Sequence, residues 1–125
     1  MAGKKILIVD DDETLNELIR HTLERAGYKT AAAFDGVTAV SIARVEKPDL
    51  ILLDMTLPKG RGEVVYTQLR QITDTKFIPV LIITASSPLN DSPFYISKGI
   101  EEEDFFIKPL DFNALLARIA YYLDA

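Results

Sequence analysis

Along the chain, short apolar runs alternate with longer segments in which apolar residues recur every three or four positions. The runs are "KILIV" (5–9), "KTAAAF" (29–34), "LILLD" (50–54), "IPVLIIT" (78–84) and "DFFIK" (104–108), and their length and β-branched content predict five strands. After the first run, Leu15, Leu18, Ile19, Thr22, Leu23 and Ala26 fall on one helical stripe, with Gly27 as its stop. Val37, Val40 and Ala43 predict a second helix that ends before Pro48, and Val65, Leu69 and Ile72 a third. Asp111 is the expected cap of a last helix whose buried stripe is Phe112, Leu115, Leu116, Ile119 and Leu123. The irregular stretch is "SSPLNDSPFYIS" (86–97), where two prolines leave room only for a short helix with Ser92 as N-cap and Pro93 in its first turn.

Strand and helix in alternation, about five times over, predict an α/β fold with a parallel sheet covered by helices on both faces. The runs "ILIV", "LILL" and "VLII" agree, because they are apolar at every position instead of every second one. At 125 residues, with no linker, repeat or low-complexity stretch, one domain spanning 1–125 is expected, with no output domain.

In such a sheet, ligands bind outside the carboxyl ends of the strands. There the first run meets Asp10, Asp11 and Asp12, the third ends in Asp54, the fourth in Thr84, and the fifth in Lys108 and Pro109. Two carboxylates about 5 Å apart repel by roughly 3 kcal/mol at an effective dielectric near 20. Asp10, Asp11 and Asp54 therefore need more cation than Lys108 alone supplies. Carboxylate oxygens without His or Cys favour Mg²⁺ or Mn²⁺, which leaves coordination positions open for phosphate. Lys108 and Thr84 would face that phosphate, and Asp54, alone on a middle strand, is the candidate nucleophile for an acyl phosphate. Asp12, next to the first helix, reads as its cap.

Composition narrows the partners. The chain has no cysteine, which removes disulfides and thiolate metal sites. Its 19 acidic against 14 basic residues give a net charge of −5, which disfavours direct nucleic-acid binding. No apolar run is long enough to span a bilayer, and no secretory signal opens the chain, so a cytoplasmic protein without membrane contact is expected. His21 lies off the apolar face of its helix. "EEED" (101–104) reads as a solvated loop, and Phe94 and Tyr95 as partly packed or partner-facing aromatics.

The motifs "ILIVDDD", "PDLILLDMTLPKGRG", "LIITA" and "FFIKPL", each at a strand end, resemble the receiver domain of two-component response regulators over essentially the whole chain. The resemblance implies the flavodoxin-like, doubly wound fold with strand order 2-1-3-4-5. It implies Asp54 as phosphoacceptor, Asp11 as direct Mg²⁺ ligand, Asp10 acting through water, and Thr56 offering its backbone carbonyl to the metal. Thr84 and Phe105 resemble the switch pair, Lys108 the phosphate-binding lysine, and Lys108–Pro109 a cis peptide. The expected donor is a sensor histidine kinase or histidine phosphotransfer protein, with an unnamed downstream protein as target. Such a module is no enzyme beyond its own phosphorylation and dephosphorylation, which Thr56 and Ser86, flanking the pocket, are placed to tune.

The chain departs from the family pattern in three places: about two extra residues at "GIEEED" (99–104), Phe105 where the family more often has Tyr, and the proline-interrupted fourth helix. The last motivates an alternative, a receiver-like interaction module that works without phosphate. A Mg²⁺-dependent phosphohydrolase shares the acid and lysine logic but lacks a cap segment and a second acid beside Asp54. A flavin carrier would set its phosphate against three carboxylates.

Overall fold

The computed structural model describes residues 3–57, 61–85 and 93–124. Five strands, β1 (Lys5–Val9), β2 (Lys29–Ala33), β3 (Leu50–Asp54), β4 (Val80–Thr84) and β5 (Phe105–Ile107), form one parallel sheet in the order β2-β1-β3-β4-β5. The helices are α1 (Glu13–Arg25), α2 (Gly36–Glu46), α3 (Arg61–Gln71), α4 (Pro93–Lys98) and α5 (Phe112–Leu123). Alternate strand residues feed two separate cores. Leu7, Val9, Ile51, Leu53 and Ile82 pack against α2 and α3, while Ile6, Ile8, Leu50, Leu52, Leu81 and Ile83 pack against α1 and α5. Both faces of β1, β3 and β4 are thus dry, which is why those strands are apolar throughout. No described helix is long and apolar enough to cross a membrane.

The helix ends follow local chemistry. Asp12 caps α1, its carboxylate accepting from the Leu15 amide at 3.1 Å, and Gly27 follows with φ of 101°. Asp35 caps α2 at the Thr38 amide (2.8 Å), and Asp111 caps α5 at the Ala114 amide (3.2 Å). The expected cap Ser92 lies outside the described residues.

Two expected stripes are rotated. On α1, Ile19 and Leu23 are buried as expected, but Leu18 is exposed and Ala26 lies outside the core. Asn16 takes the inward position instead. On α2, Val37 is 74% exposed, because the face turned to the sheet is that of Ala39 and Ala43. Small side chains let the helix backbone approach closely, and the larger valine is left off the contact.

The "EEED" stretch is not simply a solvated loop. Glu102–Asp104 forms a 3-10 turn, and Asp104 turns inward. It accepts from Arg118 Nε at 2.8 Å and from the Tyr122 hydroxyl at 2.7 Å, which ties the entry of β5 to α5. Tyr95 is buried and Phe94 half-buried, so their packing role wins over exposure.

Candidate functional site

Sheet register builds the site. Val9 lies opposite Leu53, so Asp10 and Asp54 emerge level with each other from neighbouring strands. Thr84 lies opposite Ile107, so Lys108 follows one residue beyond, and its amide donates to the Thr84 carbonyl at 2.9 Å. Asp10, Asp11 and Asp54 present carboxylate oxygens within 4.8 Å of one another. Asp10 and Asp54 are fully buried and Asp11 is exposed at the rim.

Lys108 Nζ stands 3.1 Å from Asp54 Oδ2 and 3.7 Å from Asp10 Oδ2. Burial pulls its ammonium pKa down, but the hydrogen bond and charge of Asp54, with Asp10 and Asp12 behind, outweigh that and hold it above the usual lysine range. Asp10 goes the other way. Burial, followed by the charge of Asp54, pushes its carboxyl up to about 6, against the pull of the Asp12 amide. Its Oδ1 accepts that amide at 2.9 Å, whereas Oδ2, though buried, has no hydrogen-bond donor among the described residues. An orphaned buried carboxylate oxygen beside two more carboxylates fits a hard divalent cation.

Thr56 donates both its amide (2.8 Å) and its hydroxyl to Asp54 Oδ1. The sequence places Thr56 at the pocket through its carbonyl and as a residue that tunes the phosphate chemistry; the hydroxyl bond to Asp54 is an added feature of the site. Thr84 is buried at the end of β4. Phe105 packs edge-to-face on Tyr95 with ring centroids 4.8 Å apart. Tyr95 in turn meets Phe94, and Phe94 meets Tyr66 of α3, both edge-to-face at 5.6 and 5.9 Å. The Lys108–Pro109 peptide is cis, as expected. Ser86 lies outside the described residues, and His21 is exposed and is not part of the acidic cluster.

Two supporting residues escaped the sequence reading. Asn16 Nδ2 points at the carbonyls of Asp10 (3.1 Å), Ala33 (3.3 Å) and Ile8 (3.4 Å), while its Oδ1 accepts from Arg20 Nε at 2.9 Å. It therefore clamps the ends of β1 and β2, where Asp10 begins. The available signal was an amide one helical turn after the Asp12 cap. Gly62, at the start of α3, comes so close to the β3 exit that a Cβ would sit 2.6 Å from Met55 Cα and 3.0 Å from the Asp54 carbonyl oxygen. Only glycine fits that approach.

Residues 6–120 match the response regulator receiver domain family. The chain is 40% identical over 117 residues to the alkaline phosphatase synthesis transcriptional regulatory protein PhoP of Bacillus subtilis, covering 94% of this chain and 47% of that protein. It is 39% identical over 115 residues to the DNA-binding dual master transcriptional regulator RpaA of Synechocystis sp., covering 92% and 47%. The chain thus spans about half the length of the curated relatives it matches. Among solved structures it resembles the chemotaxis protein CheY4 of Vibrio cholerae, with a TM-score of 0.86, 28% identity, and 98% and 100% of the two chains covered. It also resembles a CheY-like receiver domain protein of Methanospirillum hungatei, with a TM-score of 0.83, 26% identity, and 97% and 94% covered. A family match of that breadth, on this sheet topology, shows that the chain belongs to the receiver domains of two-component response regulators, which are phosphorylation-controlled signalling modules.

Proposed function

We propose that Asp54 is the phosphoacceptor, taking its phosphoryl group from a sensor histidine kinase or a histidine phosphotransfer protein with the help of Mg²⁺. The observation that carries this reading is a fully buried Asp54 bonded to Lys108 at 3.1 Å and grouped with Asp10 and Asp11. In the transfer, an Asp54 carboxylate oxygen attacks phosphorus and forms the P–O bond of an acyl phosphate. The bond from phosphorus to the donor's imidazole nitrogen breaks, and that nitrogen keeps the electron pair. Asp11, Asp54 and the Thr56 backbone carbonyl would hold Mg²⁺, with Asp10 acting through water. When bound, the ion neutralises charge on the transferring oxygens.

The chain's own residues do the rest. Lys108, kept cationic by its two acid neighbours, passes from Asp54 to a phosphoryl oxygen. The Thr84 hydroxyl donates to the same group. Phe105 follows into the space that movement opens, and its contact with Tyr95 carries the change to α4 and, through Phe94 and Tyr66, to α3. The domain's covalent chemistry, including loss of the phosphoryl group, is confined to itself, in a cytoplasmic setting. Its output goes to another protein. A net charge of −5 argues against nucleic acid as a direct ligand of this chain, even though relatives twice its length are named transcriptional regulators.

Incubation with Mg²⁺ and acetyl phosphate, read by intact mass, tests the assignment. One phosphoryl adduct is expected on the wild type and none on Asp54→Asn. Equal labelling of both, or no labelling of either, would overturn it.

A further inference from the structure

At the opposite end of the sheet from the acids, a groove of about 270 Å³ opens between the α3–β4 loop and the turn that leads into β5. Tyr66, Phe77, Ile78 and Ile100 contribute its apolar surface. Phe77 is 87% exposed, the most exposed of the large hydrophobic residues among those described. An aromatic ring held in water beside an apolar groove is a natural anchor for an interface.

The two flanks carry opposite charge. On the loop side, Arg70 lies against the groove with its Nη1 donating to the Ile78 carbonyl at 2.7 Å, and Lys76 Nζ sits 5.1 Å from the centre of the Phe77 ring. On the other side, Glu101 lines the groove and Glu102 and Glu103 are exposed on the adjoining turn. That acidic arm is held in place from behind, because Asp104, next in the chain, is locked by Arg118 and Tyr122. It falls in the stretch where the chain is longer than the family pattern.

We infer that this groove is a homotypic docking surface whose occupant is a second copy of the same chain related by a two-fold axis. The charge pattern selects that occupant. A patch with one basic and one acidic arm about an apolar centre is self-complementary under two-fold rotation, since each arm meets the opposite arm of the other copy. A uniformly basic or acidic peptide would satisfy one arm and face like charge on the other. In the pair, Phe77 of each copy is covered by the other's groove, and Lys76 of each faces the other's glutamates.

Sedimentation velocity from micromolar to millimolar concentration reads the association. The wild type should pass from monomer to dimer, and added salt should weaken the dimer. Phe77→Ala should raise the dissociation constant about tenfold or more. Lys76→Glu alone and Glu102→Lys alone each set like charges together twice and should remain monomeric. Mixed in equal amounts, or combined in one chain, they restore opposite charges at both contacts and should restore the dimer. All three positions are exposed, and circular dichroism verifies that each variant keeps its fold. A wild type that stays monomeric throughout, a dimer indifferent to Phe77→Ala, or reversed charges that fail to rescue each other would overturn the inference.

Discussion

Replacing Asp10 by Asn should stabilise the metal-free protein while removing much of its response to Mg²⁺. The carboxyl is fully buried, one of its oxygens lacks a donor among the described residues, and its pKa stands at about 6 against 3.8 for the free side chain. A rise of roughly two units corresponds to about 3 kcal/mol of folding free energy lost when the group is ionised. The sign runs with a raised pKa: Asp10's contribution to stability is fully present below about pH 4 and is lost as pH rises through about 6. Asn keeps the Oδ1 that accepts the Asp12 amide at 2.9 Å and puts a neutral donor where Oδ2 faces Asp54. In EDTA at pH 7.5, thermal unfolding should show the variant melting higher by roughly 10 °C, since 1 kcal/mol moves Tm by a few degrees in a domain of this size. At pH 5 the gain should shrink to roughly half, because wild-type Asp10 is then largely protonated. Adding Mg²⁺ should raise the wild-type Tm by mass action and the variant's much less. A variant that melts at or below the wild type in EDTA at pH 7.5, or one whose advantage is the same at both pH values, would refute the electrostatic account of the site.

Other consequences are open to simpler measurements. Gly62→Ala brings a Cβ to 2.6 Å from the Met55 backbone, so α3 must back away from β3; urea unfolding should show a loss of about 1–3 kcal/mol, and acetyl phosphate labelling should slow because the Asp54 loop shifts with it. Asn16→Ala strips the buried carbonyls of Asp10, Ala33 and Ile8 of a shared donor and should cost roughly 1–3 kcal/mol in the same assay, whereas a change under about 0.5 kcal/mol would show the clamp to be idle. Thr56→Ala frees Asp54 Oδ1 from the hydroxyl that now occupies it, so labelling by acetyl phosphate should quicken by a few fold; slower labelling would mean that the hydroxyl positions the nucleophile instead of restraining it.

Much of this molecule was legible because the decisive features depend on strand register. A strand covered on both faces has to be apolar at every position, so "ILIV", "LILL" and "VLII" declared a buried parallel sheet, and the residue after each such run had to emerge at its carboxyl end. Asp10, Asp54 and Thr84 are placed by that rule, and Lys108 reaches the two acids from the end of the half-exposed edge strand β5. Helix faces obey a looser one. The rotation of a helix on the sheet is set by which side chains allow the closest approach, so Ala39 and Ala43 decided α2 and left Val37 in water. On α1, an amide that satisfies strand-end carbonyls displaced Leu18 from the inward face. Residue type cannot announce either outcome, because both depend on the partner surface.

The hardest distinction lay among the acids, where sequence offered two clusters that look alike. In "EEED" the last acid folds inward, but Arg118 and Tyr122 from α5 meet both of its oxygens, so its burial is compensated and it serves to hold the β5 entry. In "DDD" the first acid is buried more fully still, yet Oδ2 has no hydrogen-bond donor among the described residues and its pKa climbs toward neutrality. A protein stabilises itself by pairing buried charge; leaving one oxygen without a hydrogen bond, with only Lys108 at 3.7 Å to offset two more carboxylates, is a cost that folding alone does not explain. The partners that separate the two cases lie up to 18 residues away, on another helix, which no local pattern can show. On the proposed reading, incomplete compensation marks the acid that works on a ligand, and complete compensation marks the acid that works on the fold.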